Sequence, residues 1–153
     1  MLIHRDLSIK RMKGINPCLY DAVLQASESV DIFVGDHGGL RTPEEQEELI
    51  RRGVSWTRRS KHLTGDAVDL VAYDRERRTP IWGRGAYEEI KDAMRAACRS
   101  NLVWGGSWKQ ADLGHFEVAG CAVKSTPVTY RWQDYAYATP SSISIGATYF
   151  PRS

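Results

Sequence analysis

A histidine and a carboxylate are seven positions apart in residues 60–69 (SKHLTGDAVD), namely His62 and Asp69. Two ligands of one metal ion must bring their donor atoms within a few ångströms. Seven residues span about 10 Å along a helix and about 23 Å along a strand. The pair can therefore share an ion only if the chain reverses between them. Gly65 permits such a reversal, because glycine adopts backbone angles that other residues resist.

Asp69 lies within residues 67–73 (AVDLVAY), an apolar run that predicts a β-strand. A carboxylate in an apolar strand is costly unless it is paired or binds a metal. Asp69 is therefore stronger evidence for a metal site than His62. The spacing alone leaves two interpretations open. The two residues either belong to a metal site or lie in a surface turn, where both side chains are solvated.

A second stretch, residues 112–117 (DLGHFE), could complete such a site. If it is a strand, His115 and Glu117 share one face and Phe116 lies on the other. Two histidines and one carboxylate, with a fourth position left for water, are typical of catalytic zinc. Hydrolysis of an amide also needs a group that moves a proton to the leaving amine. Asp112 and Glu117 are both candidates for that role.

Together the two stretches resemble the paired motifs of a known family, the zinc D-Ala-D-Ala carboxypeptidases and L-alanyl-D-glutamate peptidases (VanY-like). The five fixed positions of its Ser-x-His-x-x-Gly-x-Ala-x-Asp motif are matched by Ser60, His62, Gly65, Ala67 and Asp69. The second motif places an acidic residue three positions before the last zinc histidine, as Asp112 stands before His115. Aspartate there, followed by His-Phe-Glu, looks more like the L-alanyl-D-glutamate peptidases, which include phage endolysins. The resemblance covers about residues 19–119.

The resemblance implies the roles of the site residues. It assigns a Zn²⁺ ion to His62, Asp69 and His115, and the catalytic base to Asp112. Glu117 stays open as a rival base or as a partner that orients a zinc histidine.

The same resemblance places Arg41 in the cleft, where a guanidinium can stabilise an oxyanion or hold a substrate carbonyl or carboxylate. It gives Ser60 and Gln46 contacts with substrate. Each residue has an alternative interpretation. Arg41 could be a solvated arginine beside an N-cap, Ser60 could supply a turn hydroxyl, and Gln46 could be a solvent-facing helical glutamine.

The elements that must position these residues follow from local patterns. Helices are predicted at about residues 17–29, from residue 42 to the Arg51-Arg52-Gly53 stop, and at residues 86–101. Short strands are predicted at residues 31–35, 67–73, 102–104 and 114–118, with a loop at residues 74–85. We expect an α+β fold with a small, mainly antiparallel sheet and packed helices; the resemblance implies the fold shared by the Hedgehog signalling domain and D,D-peptidases. The catalytic domain is predicted at residues 1–119, and residues 120–153 form an extension or tail.

Composition limits the other classes of function. The chain has 153 residues and a formal net charge of +2, which suits one domain and is too weak to indicate nucleic-acid binding. No segment has the ~20 apolar residues of a membrane span, and residues 1–14 lack the apolar core of a signal peptide. The chain has an odd number of cysteines, and they are far apart in sequence: Cys18, Cys98 and Cys121. We therefore expect reduced thiols.

Two further features border the predicted site. Trp104 and Trp108 flank a glycine-containing loop before Asp112, and they either pack in the core or line the substrate cleft. A basic cluster could attract acidic stem peptides or could simply be a solvated face; its members are Arg51, Arg52, Arg58, Arg59 and Lys61.

The resemblance implies a zinc-dependent peptidoglycan endopeptidase, similar to a phage endolysin, that cuts the L-Ala–D-Glu bond of stem peptides. A D,D-carboxypeptidase that releases terminal D-Ala is the nearest alternative. A non-catalytic zinc-containing wall-binding module is another, because the fold alone does not prove catalysis. We expect a monomer that is made in the host cytoplasm and acts on the cell wall after release.

Overall fold

The computed structural model describes residues 1–98 and 101–119. Within these ranges the helices are α1 (Arg5–Arg11), α2 (Pro17–Ala26), α3 (Pro43–Arg51) and α4 (Arg84–Ala97). The strands are β1 (Ile32–Val34), β2 (Ala67–Asp74), β3 (Thr79–Ile81), β4 (Leu102–Trp104) and β5 (His115–Val118). Two short 3₁₀ turns cover Lys61–Leu63 and Gly105–Ser107.

The five strands form one sheet with the order β1-β2-β5-β4, and β3 adds to β2. All of these pairs are antiparallel. The first half of β2 pairs with β5, whereas its second half pairs with β1 on one side and β3 on the other. The α+β class with a small antiparallel sheet is therefore confirmed.

The helices form because their ends are capped and their apolar faces are buried. Asn16 caps α2 by accepting a hydrogen bond from the Cys18 N–H, with proline as the first helical residue. Thr42 and Glu45 form the predicted capping box of α3. The main core lies where α2 packs against α4 and α4 contacts the sheet; it includes Leu19, Val23, Ile90, Met94 and Phe116.

The structure differs from the sequence prediction in four places, one of which is α4, since this helix covers Arg84–Ala97 rather than residues 86–101. Strand β3 lies in the segment predicted as a loop, and Pro80 is tolerated there because an edge strand leaves one side of its backbone unpaired. Helix α1 was not predicted, because its seven residues carry no clear apolar face. Helix α2 ends at Ala26 rather than near residue 29. The described helices are too short or too polar to cross a membrane.

Some predictions concern residues that the structure does not describe. The extension at residues 120–153 and Cys121 lie outside the described ranges. Cys98 is buried and Cys18 is partly buried.

Candidate metal centre and its cleft

Strand register brings the first two candidate ligands together. Asp69 on β2 lies directly opposite His115 on β5. The Asp69 Oδ1 atom lies 3.0 Å from His115 Nδ1. The backbone of Asp69 is fixed on its other side, since its N–H donates to the Gly38 carbonyl and its carbonyl accepts from the Gly35 N–H, at 2.8 and 3.0 Å. Two of the three candidate ligands are thus placed by ordinary antiparallel pairing.

A turn rather than a strand places His62. The Ser60 hydroxyl accepts a hydrogen bond from the His62 N–H at 3.3 Å and caps the 3₁₀ turn. Gly65 then reverses the chain with φ of +76°. A Cβ atom at Gly65 would lie 2.5 Å from the Gly14 carbonyl oxygen, so glycine is required for space as well as conformation. The reversal predicted at Gly65 is confirmed, and it leaves His62 Nε2 3.1 Å from Asp69 Oδ1.

Both histidines have an acceptor on their outer nitrogen. His62 Nδ1 lies 2.8 Å from the Gly39 carbonyl oxygen, and His115 Nε2 lies 3.1 Å from Glu117 Oε2. Because a carbonyl or carboxylate oxygen only accepts, we assign the hydrogen to that outer nitrogen. The inner nitrogen then donates to Asp69 only when the ring is protonated, and in the neutral ring it presents a lone pair toward Asp69. This is the usual arrangement of metal-binding histidines.

The inner atoms converge as one donor set. One ligand atom from each of His62, Asp69 and His115 lies within 4.8 Å of the others. Two imidazole nitrogens and a carboxylate oxygen are a set that suits zinc and related divalent metals. The residues therefore fit a metal ion by their chemistry and by the direction of their lone pairs.

Local charges keep Asp69 ionised. Burial alone would raise its pKa, but hydrogen bonds from His115 and His62 outweigh this effect and hold the pKa well below its usual range. Burial alone would lower the pKa of His115, yet its hydrogen bond and attraction to Asp69 raise it overall. A metal ion held by this ring and Asp69 would compete with that proton, so metal binding would be coupled to proton release.

Arg41 and Gln46 support the outer oxygen of Asp69. Arg41 Nη2 donates to Asp69 Oδ2 at 2.5 Å, Nε donates to the His37 carbonyl and Nη1 donates to Gln46 Oε1. The Gln46 amide in turn donates to Ser55 Oγ and to the Thr57 carbonyl, at 2.8 and 2.6 Å. Gln46 is only 2% exposed, so the alternative of a solvent-facing glutamine is wrong.

Asp112 faces the same cleft from the loop before β5. Its N–H donates to the Gly105 carbonyl at 3.0 Å, and its carbonyl accepts from the His115 N–H at 3.3 Å. Burial and the nearby charge of Asp69 raise the pKa of the Asp112 carboxyl, although attraction to His115 and His62 partly opposes this. A partly buried carboxyl with a raised pKa is better suited to accept a proton than an ordinary aspartate.

The cleft has a volume of about 880 Å³ and two contrasting walls. One, the sheet wall, consists of the lining residues of β2 and β5, which are Asp69, Leu70, Val71, His115 and Glu117. The other, the loop wall, consists of the lining residues between positions 54 and 62, which are Val54, Ser55, Trp56, Thr57, Arg59, Ser60, Lys61 and His62. The candidate metal site therefore joins the two walls, because His62 lies on one and Asp69 and His115 on the other.

The two tryptophans of the glycine-containing loop have different environments. Trp104 is buried and donates from Nε1 to the Leu113 carbonyl at 2.8 Å. Trp108 lines the cleft, and its ring centroid lies 5.0 Å from that of His115. The core interpretation thus holds for Trp104 and the cleft interpretation for Trp108.

Comparison with known proteins is consistent with this geometry. The sequence profile of the phage L-alanyl-D-glutamate peptidase family matches residues 4–124. The chain belongs to this family. A similar protein, the L-alanyl-D-glutamate peptidase of Listeria phage A118, is 35% identical over 86 residues, which are 56% of this chain and 30% of that protein. The chain thus matches less than a third of that relative's length.

A solved structure supports the fold of this family member. The crystal structure of the Serratia marcescens L-Ala D-Glu endopeptidase ChiX is 33% identical, with a TM-score of 0.65. The match covers 78% of this chain and 89% of that one. The predicted relationship to L-alanyl-D-glutamate peptidases is confirmed by all three comparisons.

In this family member, six of the predicted site residues line one cleft. They are Arg41, Ser60, His62, Asp69, Asp112 and His115. Gln46 lies behind Arg41 instead, with its amide bonded inside the protein. Substrate contacts by Ser60 and Gln46 stay predictions. Sequence reasoning missed Trp56 and Trp82 as lining residues. Their only sequence signal was an aromatic residue within a polar segment, which does not reveal a shared cleft.

Proposed function

We propose that this chain is a zinc-dependent peptidoglycan endopeptidase that hydrolyses the L-Ala–D-Glu bond of stem peptides. The observation that carries the proposal is the convergence of His62, Asp69 and His115 on an open cleft in a member of the L-alanyl-D-glutamate peptidase family. An open cleft suits a polymeric substrate that must present an internal bond.

Zinc would be held by His62 Nε2, Asp69 Oδ1 and His115 Nδ1. When bound, zinc would supply a Lewis acid for the scissile carbonyl and lower the pKa of water at its remaining position. The Gly39 carbonyl and the Glu117 carboxylate hold the two imidazole rings in the orientation that this requires.

Asp112 would act as the general base. Its carboxylate accepts a proton from the attacking water, the water oxygen bonds to the carbonyl carbon, and the same proton passes to the departing amine nitrogen as the C–N bond breaks. Glu117 is the weaker candidate, because its carboxylate is hydrogen-bonded to the outer nitrogen of His115. Both carboxylates line the cleft, so the hydrogen bond of Glu117 to His115 is the observation that favours Asp112.

Arg41 would act mainly by positioning Asp69. Its three described hydrogen bonds use three of the five N–H donors of a guanidinium, and one of them fixes Asp69 Oδ2. The remaining donors could still polarise the substrate carbonyl, which is the role implied by the family resemblance. Arg41 also lines the cleft, so both roles are open to it.

The biological setting follows from this activity. The substrate would be the stem peptide of the bacterial cell wall, and the protein would act there as a phage-type lysis enzyme. We expect it to work as a monomer, because all the candidate ligands come from one chain.

Product analysis tests the proposal. Purified protein carrying stoichiometric zinc is incubated with peptidoglycan, and newly formed N-terminal and C-terminal groups are identified by mass spectrometry. New amino groups on D-Glu are expected, and a chelator should abolish them. Release of D-Ala would instead assign a D,D-carboxypeptidase, and zinc binding without either product would assign a non-catalytic wall-binding module.

A further inference from the structure

Three exposed tryptophans line the cleft, although they come from separate parts of the chain. Trp56 follows α3, Trp82 follows β3 and Trp108 precedes β5. Their exposed fractions are 57%, 69% and 36%, and the neighbouring Val54 is 59% exposed. Indole rings usually contribute by being buried, so several exposed ones on one cleft indicate a surface that is covered by a ligand.

The stem peptide by itself does not account for this aromatic surface. Its residues are small or charged, namely alanines, glutamate and a diamino acid, and they offer little apolar area to three indoles. The loop wall also carries Arg59 and Lys61, and neither pairs with a carboxylate among the described residues. These cations complement the carboxylates of the peptide. The peptide therefore matches the cations but cannot cover the exposed parts of the three indole rings.

We propose that Trp56, Trp82 and Trp108 bind the sugar rings of the glycan strand that carries the stem peptide. N-acetylated amino sugars present flat C–H faces that pack on indole, while their hydroxyl and amide groups can stay hydrated at the open cleft. The sugar is joined through its lactyl group to the L-Ala residue, so it lies one residue from the proposed scissile bond. The preferred substrate is then a glycan-linked stem peptide. This inference rests on the proposed function and names its substrate class more closely.

The size of the cleft agrees with such a substrate. Its volume of about 880 Å³ is near the upper end of the ~300–1,000 Å³ that is usual for ligand pockets. A dipeptide unit around the scissile bond needs only part of that space. The sugar would therefore extend the contact that the peptide makes with the loop wall and with Trp82.

A matched pair of substrates tests the inference. One is a disaccharide tetrapeptide, and the other is the same tetrapeptide with only an N-lactyl group on L-Ala. The N-lactyl compound keeps the amide and avoids a positive charge beside the scissile bond. We expect kcat/KM to be at least about tenfold higher for the disaccharide tetrapeptide, the size expected of one or two ring-stacking contacts.

Variants then assign that preference to the tryptophans. Trp82→Ala and Trp56→Ala should each lower the ratio of the two kcat/KM values several-fold and bring it toward one. Leu7→Ala is the control, because Leu7 is also an exposed apolar residue but lies on α1 and outside the cleft. Its ratio should equal that of the unmodified protein. Retention of the Asp112→Asn variant on peptide-free glycan strands gives a second readout, and it should fall when Trp82 is also replaced.

The outcomes separate the two proposals. Equal kcat/KM values for both substrates would overturn the glycan inference and leave the endopeptidase intact. A preference that survives both tryptophan substitutions would also overturn it. If neither substrate is cut at L-Ala–D-Glu, the proposed function fails, and the inference that rests on it fails as well.

Discussion

The two walls of the cleft hold the three candidate metal ligands by different means. On the sheet wall, Asp69 and His115 are placed by strand register, and the pairing of β2 with β5 fixes them together. On the loop wall, His62 depends on a capped turn, on the Gly39 carbonyl and on the positive φ of Gly65. The sheet wall thus uses a repeating backbone pattern, whereas the loop wall uses several single contacts.

This difference indicates how the two walls divide their tasks. Register is insensitive to most side-chain changes, so the sheet wall can hold two ligands with little additional support. The loop wall can carry the exposed Trp56, and two cations without a carboxylate partner among the described residues, because its backbone is fixed from behind. There the buried Gln46 side chain donates to Ser55 and Thr57. Metal geometry should therefore be most fragile at His62, and substrate recognition should vary most along the loop wall.

The largest effect is expected from removing the ligand of the loop wall. His62→Ala should prevent stoichiometric zinc binding and reduce activity to background, because two protein ligands do not hold zinc in a catalytic site. Metal analysis and peptidoglycan hydrolysis measure this. His4→Ala is the control, since His4 is exposed and lies outside the donor set, and it should bind zinc normally. Normal zinc affinity in His62→Ala would refute the site.

The next largest effect is expected from the proposed base. Asp112→Asn should keep zinc and lower kcat by about 10²–10⁴-fold, because an amide cannot accept the proton. Zinc content and kcat are measured on the same preparation. Full activity would show that Asp112 is not the base. If Glu117→Gln lost activity with zinc retained while Asp112→Asn stayed active, the base would be Glu117.

A pair of glycine substitutions tests how the loop wall holds His62. Gly65→Ala should weaken zinc binding and destabilise the fold, since its Cβ would collide with the Gly14 carbonyl oxygen. Gly53→Ala is the matched control, because Gly53 has a similar φ of +70° but no atom within 4 Å of an added Cβ. Gly53→Ala should lower the free energy of unfolding by only about 1–2 kcal/mol, the cost of a left-handed backbone conformation for alanine, and leave the zinc affinity unchanged. Thermal unfolding and zinc titration compare the two; equal zinc affinities would contradict the proposed role of the turn.

The smallest effect is expected from the supporting carboxylate of the sheet wall. Glu117→Ala removes the acceptor for His115 Nε2 and should weaken zinc binding by about 10–100-fold. Asp69 and strand pairing still place the ring, so the site itself should survive. Glu89→Ala on the exposed face of α4 is the control and should leave the affinity unchanged. A zinc affinity that is insensitive to Glu117 would show that register alone orients His115.

Much of the local structure could be predicted because it depends on neighbouring residues. The capping box at Thr42, the glycine reversal at Gly65 and the alternation around His115 are short-range patterns, and each appears in the structure. Strand β3 was missed because Pro80 disfavours a strand in the local sequence. The strand forms only because β2 offers a free edge for it to pair with. The burial of Gln46 behind Arg41 was not predicted, because nothing in the helix pattern shows that residues 55–57 cover it.

By itself the sequence indicated the family and, through the family resemblance, the candidate donor set, since both depend on residue types at fixed spacing. Tertiary structure decided the remaining points. It assigned an acceptor to each histidine, separated the surroundings of Asp112 from those of Glu117, and brought Trp56, Trp82 and Trp108 to one cleft. The physical reason is that hydrogen-bond partners and shared surfaces come from residues distant in the chain. Spacing along the sequence carries no information about such contacts until strand register and loop packing have formed them.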